Sequence, residues 1–226
     1  MQVNVRDAID SRTSCRAFLP TPVPEATVRT LLEQARRTPS GGNVQPWRVH
    51  ALAGQPLADL IARVHAQVET LPLGEPATDY DIYPPDLGEP FRSRRHQCGE
   101  DMYATIGVTR ENRAGRLRHF QRNFEFFGAP VGLFFCLDRR LGPPQWSDLG
   151  MFMLSVMLLA REHGLDTCAQ EAWSRWPQTV GAVLELPPET LLFAGMALGH
   201  RDETSPINRL RTARATVDEF ASFRGF

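Results

Sequence analysis

The sequence predicts a single folded domain that combines helices with strands, and three observations support this. The chain has 226 residues, a length that one domain commonly reaches. Hydrophobic residues make up 42% of it and charged residues 23%, so burial of a core can offset the entropy cost of ordering the chain. Apolar residues recur with a helical period in some segments and with a strand period in others. No repeat or low-complexity tract divides the chain, so we expect residues 1–226 to form one domain.

The first half of the chain predicts three helices and one strand. Asn4 or Asp7 can cap a short helix that ends near Ser11. A second helix follows Pro24, with apolar residues at positions 28, 31, 32 and 35, and Pro39 ends it. The same rules predict a tight loop over 40–43, a strand over 47–52 and a third helix over 57–68.

The second half begins with a segment, residues 71–91, whose five prolines predict a long loop. Asp148 can cap an apolar helix over 149–163 that Gly164 closes, and this helix is too short to span a bilayer. Residues 208–226 offer few core positions, so this tail can reach outward. The other predicted elements are helices over 92–106, 110–127 and 180–186 and strands over Val131–Leu137 and Leu191–Leu198.

The charged residues exclude several kinds of function. All 25 cations are arginines, so neither a Schiff-base lysine nor a lysine-bearing phosphate loop is possible. With 26 acidic residues the net charge is −1, so no overall basic field attracts nucleic acid. An arginine-rich RNA-binding module is therefore only a remote alternative.

Cysteine and histidine usage predicts a reduced protein without a metal site. The four cysteines are dispersed without a Cys-x-x-Cys pair, so we expect buried thiols rather than disulfides or a zinc site. The six histidines are scattered singly, which is a poor pattern for metal ligands. The first twelve residues contain no apolar signal segment, so we expect the cytoplasm as the location and no membrane partner.

Two segments carry patterns typical of ligand binding. In Ser11–Arg16 two arginines flank a hydroxyl group at a predicted helix end, and arginine forks with hydroxyls bind phosphate monoesters. In Thr38–Trp47 two glycines allow close backbone approach, and polar side chains lie beside them just before a strand. Such a loop suits a ligand with many hydroxyl groups and ring heteroatoms.

Together the two segments resemble the FMN-dependent nitroreductase family. The family opens with an S-R-R-S-x-R-x-F/Y block, a helix and then A-R-x-x-P-S-x-x-N-x-Q-P-W. This chain has SRTSCRAF at 11–18 and ARRTPSGGNVQPW at 35–47. The likeness continues through NFEFFGAPV at 123–131, GLDTCAQEA at 164–172 and NRLRTARATVDEF at 208–220. Residues 83–131 are most similar to the nitrobenzoate and nitroarene reductase branch.

The resemblance implies an α+β fold with a central mixed β-sheet wrapped by helices, in an intertwined homodimer. It further implies two FMN sites at the subunit interface, each built from both chains. A helix at a dimer core has no solvent face, which would account for the apolar segment Met151–Ala160. An outward-reaching tail from Asn208 fits the same arrangement.

The resemblance also implies which residues bind FMN. Arg12, Ser14 and Arg214 match the phosphate-binding positions, and Arg16 matches the cation beside the pyrimidine edge of the flavin. The loop that lines the ribityl chain and ring corresponds to Ser40, Gly41, Asn43 and Gln45, and the segment whose backbone faces flavin N5 corresponds to Gln170, Glu171 and Ala172. Thr13 and Arg211 complete the predicted set; Thr13 lies at a variable position, and Ala172 stands where relatives often have glycine.

The implied activity is reduction of small nitroaromatic or similar electron-poor aromatic compounds by NADH or NADPH. Flavin N5 carries the ping-pong hydride transfer, so no catalytic side chain is predicted. Tyr103, Phe124 and Trp146 are candidates to shape the pocket, although such aromatics more often belong to the core. The same scaffold supports reductive dehalogenation, enone or quinone reduction and flavin fragmentation, which stay open as alternatives.

Overall fold

A four-stranded sheet with helices on both faces forms the centre of the computed structural model, which describes residues 4–226. Its strands are β1 (Arg48–Ala53), β2 (Val131–Asp138), β3 (Asp166–Gln170) and β4 (Thr190–Gly199). Within the described residues the α-helices are α1 (Val5–Ser11), α2 (Glu25–Ala35), α3 (Gly54–Val68), α4 (Phe91–Thr105), α5 (Arg113–Gln121), α6 (Pro143–Glu162), α7 (Pro177–Val183) and α8 (Val217–Phe220). Short 3-10 turns cover Gly41–Asn43, Arg122–Gly128, Glu171–Arg175 and Pro206–Arg209. The α+β class implied by the resemblance is confirmed.

The strands lie in the order β1-β2-β4-β3, and each neighbouring pair is antiparallel. The resemblance implied a mixed sheet, but among residues 4–226 parallel pairing is confined to one bridge between Ser14 and Thr167. This bridge attaches the segment after α1 to the outer edge of β3. The Ser11–Arg16 pattern therefore lies at an edge of the sheet.

The core occupies both faces of the sheet, which explains why β2 is apolar along its whole length. Leu133 and Phe135 of β2 belong to the cluster that α2 and α6 cover. The alternate residues Phe134 and Cys136 belong to the cluster that α3 covers, together with Trp173. A strand buried on both faces has no polar side, and this confirms the prediction for Val131–Leu137.

Helix α6 begins five residues before the predicted cap. Two prolines, Pro143 and Pro144, occupy its first turn, where their missing N–H groups cost no hydrogen bond. Asp148 therefore lies inside the helix and does not cap it; its buried carboxylate accepts a hydrogen bond from the Gly41 N–H instead. Gly164 closes the helix as predicted, with a φ of 68°.

Helices α5 and α7, like α6, have bounds that differ from the predicted ones, and one strand was not predicted. Helix α5 ends at Gln121 rather than at residue 127, and the chain continues as a 3-10 turn in which Phe126 and Phe127 take positive φ values. Helix α7 begins at Pro177, before the expected position 180. Strand β3 escaped prediction because three of its five residues, Asp166, Thr167 and Gln170, are polar yet buried.

The proline-rich segment 71–91 has no helix or strand before α4, as predicted, but it is tied to the fold. The Glu75 carboxylate accepts hydrogen bonds from the N–H groups of Gln178 (2.7 Å) and Thr179 (2.9 Å) at the start of α7. The Tyr80 hydroxyl donates to the Phe193 carbonyl. The middle of the segment is thus attached to α7 and to β4.

Free thiols occur at all four cysteines, and three of these are buried, as predicted. Burial raises the pKa of Cys15 and of Cys136 to about 12, so both thiols stay protonated at neutral pH. No helix among residues 4–226 has the length and apolar character that a membrane crossing requires.

Gly195 should be essential to the packing of the sheet. A Cβ atom there would lie 2.3 Å from Cδ1 of Trp173, whose side chain is fully buried. We expect Gly195→Ala to lower the free energy of unfolding by about 1–3 kcal/mol, measured by urea denaturation. Gly181→Ala in α7 is the control, because its Cβ meets nothing within 4 Å and helix propensity favours alanine. Equal stability of the two variants would contradict this packing argument.

Candidate functional site

Six of the predicted cofactor residues line one pocket of about 370 Å³. Four come from the segment after α1 and two from the carboxyl-terminal tail: Arg12, Thr13, Ser14, Arg16, Arg211 and Arg214. The other lining residues are Ile9, Asp10, Cys98, Leu210 and Thr212. The pocket therefore brings together two segments that lie nearly 200 positions apart in the sequence. Each segment contributes two arginines.

The charges of this arginine pocket favour an anionic ligand. Within the described residues none of its four arginines forms an ion pair with a carboxylate, and the one acidic lining residue, Asp10, lies 3.8 Å from Arg6. The pKa of Arg12 is lowered, first by burial and then by the positive charge of Arg214. An anion between these cations relieves their repulsion. The donor set of guanidinium forks and the Ser14 hydroxyl suits a phosphate monoester.

A buried ion-pair network contacts the segment that carries the amino-terminal arginines of the pocket. The Asp166 carboxylate, at the start of β3, lies 2.7 Å from Nη1 of Arg161 and 2.6 Å from Nη2 of Arg201. Arg161 also donates to the Ser11 hydroxyl (3.3 Å), and Arg201 donates to the Thr13 hydroxyl (2.6 Å). Thr13 thus contributes its hydroxyl group to this network. The network fixes the backbone from which Arg12 and Ser14 project.

The edge of β3 leads from the arginine pocket toward the predicted flavin-facing segment. Cys15 donates its N–H to the Thr167 carbonyl (3.0 Å), and Gln170 lies about 10 Å farther along the strand. The Gln170 side chain points inward and donates to the Asn123 carbonyl (2.7 Å), while its Oε1 is buried without a partner in the described residues. Glu171 is exposed and Ala172 half-buried. These two residues are thus the accessible part of the predicted segment.

The loop of Ser40, Gly41, Asn43 and Gln45 does not reach the arginine pocket of its own chain. Ser40 accepts the Gln45 N–H (2.9 Å), and the Gln45 side chain donates to the Asn43 carbonyl (3.2 Å). Asp148 of α6 holds the loop through Gly41, whereas Arg161 of α6 holds Ser11. Thirteen residues of helix separate these two anchors, which is about 20 Å. The arginine pocket and the Ser40–Gln45 loop are therefore two separate groups of predicted cofactor residues within one chain.

Of the three aromatic candidates only Tyr103 lies near the arginine pocket. The guanidinium carbon of Arg116 is 4.4 Å from the centre of the Tyr103 ring. Burial raises the pKa of Tyr103, against the opposing effects of Arg116 and then Arg16. Phe124 is fully buried between Trp173 and Trp176 and belongs to the core.

Trp146 does not line the arginine pocket either; it packs against the core, which is the alternative that the sequence favoured. Its ring packs against Tyr80 and Phe193, and its Nε1 donates to the Leu141 carbonyl. These contacts belong to the packing of α6 against the sheet.

Sequence reasoning missed the residues that hold the site together. Asp166, Arg161 and Arg201 form the network below the pocket, Asp148 holds the Gly41 loop, and the Asn208 side chain accepts the Arg16 N–H. Asp166 and Asn208 lie inside quoted motifs. Nothing local identifies their partners, which are up to 192 positions away.

Comparison with known proteins gives a consistent result. The nitroreductase family model matches residues 9–200. A 4-nitrobenzoate reductase from Pseudomonas putida is 37% identical over 221 residues, covering 96% of this chain and 94% of that protein. A chloronitrobenzene nitroreductase from Comamonas testosteroni is 35% identical over 219 residues, covering 97% and 96%.

Solved structures of nitroreductases are also similar to this chain. The FMN and NADPH-dependent nitroreductase NfnB from Sphigopyxis sp. strain HMH superposes with a TM-score of 0.95 at 43% identity, covering 99% of this chain and 100% of that one. The α+β fold is that of an oxidoreductase. The chain belongs to the nitroreductase family, which confirms the resemblance.

Removing the carboxylate of Asp166 should be costly, because it leaves two largely buried arginines without a counter-charge. We expect Asp166→Ala to lower the free energy of unfolding by about 3–5 kcal/mol. Glu33→Ala, which breaks the exposed Glu33–Arg36 pair, should change it by less than about 1 kcal/mol. Chemical denaturation of both variants measures this. A loss for Asp166→Ala no larger than that of the control would contradict a structural role of the network.

Proposed function

We propose that this chain is an FMN-dependent NAD(P)H oxidoreductase that reduces nitroaromatic compounds. The observation that carries the proposal is the convergence of six predicted cofactor residues in one pocket whose four arginines have no carboxylate partner among residues 4–226. The relatives named as nitrobenzoate and chloronitrobenzene reductases support the substrate class. The NfnB structures named as NADPH-dependent, or solved with NADPH, favour NADPH over NADH as the donor.

In this proposal Arg12, Ser14 and Arg214 hold the FMN phosphate, with Arg211 beside them. Arg16 lines the same pocket and follows Ser14 along the edge of β3, the strand that leads to the exposed Glu171 and the half-buried Ala172. Bound FMN supplies the capacity to accept a hydride and pass it to the nitro compound. The protein's part is to bind and orient both reactants, and no side chain has to act as a nucleophile.

Quinone or enone reduction, dehalogenation and flavin fragmentation have no specific support here. The names of the relatives favour nitro reduction over each of them. Among residues 4–226 no group of three or more histidine, cysteine or acidic side chains could hold a metal ion.

We further propose a homodimer in which each FMN site takes the arginine pocket from one chain and the Ser40–Gln45 loop from the other. The two groups lie about 20 Å apart along α6, so one chain does not bring them together. Apolar side chains of α1 and α6 face solvent in the single chain, among them Ile9 (54% exposed) and Leu154 (46%). A second copy would bury them and would complete the site.

We also propose that residues 1–226 form one FMN-binding domain and that the protein is located in the cytoplasm. Residues 1–3 lie outside the described structure. The four free cysteines fit a reducing compartment.

Loss of a phosphate-binding arginine should weaken FMN binding. A charge-assisted fork to phosphate contributes about 1.5–3 kcal/mol, so Arg12→Ala should bind FMN roughly ten- to a hundredfold more weakly. The measurement is a fluorescence titration of the apoprotein with FMN. Arg29→Ala is the control, because Arg29 pairs with Glu25 on the exposed face of α2. Wild-type affinity in Arg12→Ala would remove this segment from the phosphate site.

The substrate class is tested by re-oxidation of the reduced protein. After anaerobic reduction with NADPH, we expect 4-nitrobenzoate and nitrobenzene to restore the oxidised flavin spectrum faster than quinones or halogenated phenols, because the nitro group accepts the electrons. Stopped-flow absorbance measures the rates. Re-oxidation by halogenated phenols alone would assign the protein to dehalogenation instead.

A further inference from the structure

Asn208 lies at the junction between the two chain segments that supply the arginine pocket. It is buried, with 5% of its surface exposed, and no residue after it is buried. Arg211 and Arg214 follow it within six positions. The tail that carries these two cations therefore leaves the protein body at Asn208.

The Asn208 side chain forms three hydrogen bonds to backbone groups. Its Oδ1 accepts the N–H of Arg16 (2.8 Å), and its Nδ2 donates to the carbonyls of Ala17 (2.8 Å) and Asp202 (2.9 Å). The backbone carbonyl of Asn208 also accepts from Nη1 of Arg211 (3.3 Å). One amide thus joins Arg16–Ala17 to the base of the tail.

A tether is required here because the cations it brings together repel one another. The charge of Arg214 lowers the pKa of Arg12, so the two guanidinium groups lie close enough to interact. Repulsion and chain entropy both favour movement of the exposed tail away from the pocket. The buried amide of Asn208 opposes both effects.

We infer that Asn208 is a positioning residue. It sets the spacing between the amino-terminal arginines, Arg12 and Arg16, and the carboxyl-terminal arginines, Arg211 and Arg214, and thereby the affinity for the phosphate group. This rests on the proposed FMN site. Only an amide side chain can satisfy these three backbone groups, because it accepts one hydrogen bond and donates two. Aspartate keeps the size and the acceptor for the Arg16 N–H, but it would face two carbonyl oxygens without a proton to donate.

The test compares FMN with riboflavin, which lacks the phosphate group. Full-length apoprotein of the wild type, Asn208→Ala and Asn208→Asp is titrated with each compound by fluorescence. We expect both variants to bind FMN about tenfold more weakly and to lose much less affinity for riboflavin. The effect is larger for FMN because several arginines must be correctly spaced to bind the phosphate group, whereas riboflavin would meet only Arg16.

Asn112→Ala is the matched control. The Asn112 side chain caps α5 by accepting the Gly115 N–H (2.8 Å), so its loss also removes an asparagine hydrogen bond but away from the pocket. We expect it to change neither affinity. The Asn208→Asp variant preserves side-chain volume, so the comparison stands if Asn208→Ala does not fold.

Two results would overturn the inference. Equal weakening for FMN and riboflavin would indicate general destabilisation, and unchanged FMN affinity would indicate that the tether is not needed. Failure of the proposed FMN site is distinguishable from both, because Arg12→Ala would then also bind FMN as tightly as the wild type.

Discussion

The carboxylate of Asp166 is the constraint on which the arginine pocket depends. It lies at the start of β3 and pairs with Arg161 at the end of α6 and with Arg201 just after β4. Each of these arginines also binds a hydroxyl of the segment before Arg16, at Ser11 and Thr13. One short irregular segment is therefore held by three elements that are all distant from it in sequence. Between α1 and Arg16, the described backbone pairs with the sheet only at the bridge to Thr167, so side-chain contacts have to fix the rest of the segment.

This support allows the pocket to keep like charges together. Four arginines that project into one cavity would separate if their backbones were free. The Asp166 network fixes the backbone that carries Arg12 and Arg16. The neutral amide of Asn208 fixes the start of the tail that carries Arg211 and Arg214. The protein thus stores electrostatic repulsion that a phosphate group can relieve. In the described residues the pocket arginines lack carboxylate partners, whereas Arg161 and Arg201 share the carboxylate of Asp166.

Sequence patterns predicted the regular elements well because their signals are local. The apolar run of β2 and the helical period of α2 each need only neighbouring residues. Strand β3 could not be found in this way, since its polar residues are buried by partners from other elements. Asp148 was misplaced as a helix cap because the two prolines before it begin the helix earlier. Motif resemblance identified the pocket residues, but it could not show that the Ser40–Gln45 loop lies far from them in the same chain.

The most direct test of the account asks whether one FMN site draws on two chains. Differently tagged chains are co-expressed, and mixed dimers are purified and assayed for bound FMN. In the first dimer one chain carries Arg12→Ala and the other carries Asn43→Ala with Gln45→Ala. A site shared between chains then leaves one intact site, so we expect about one FMN per dimer. In the second dimer one chain carries all three substitutions and the other is wild type, and we expect neither site to be intact. The reverse result, with FMN retained only by the second dimer, would place each site within a single chain and contradict the account.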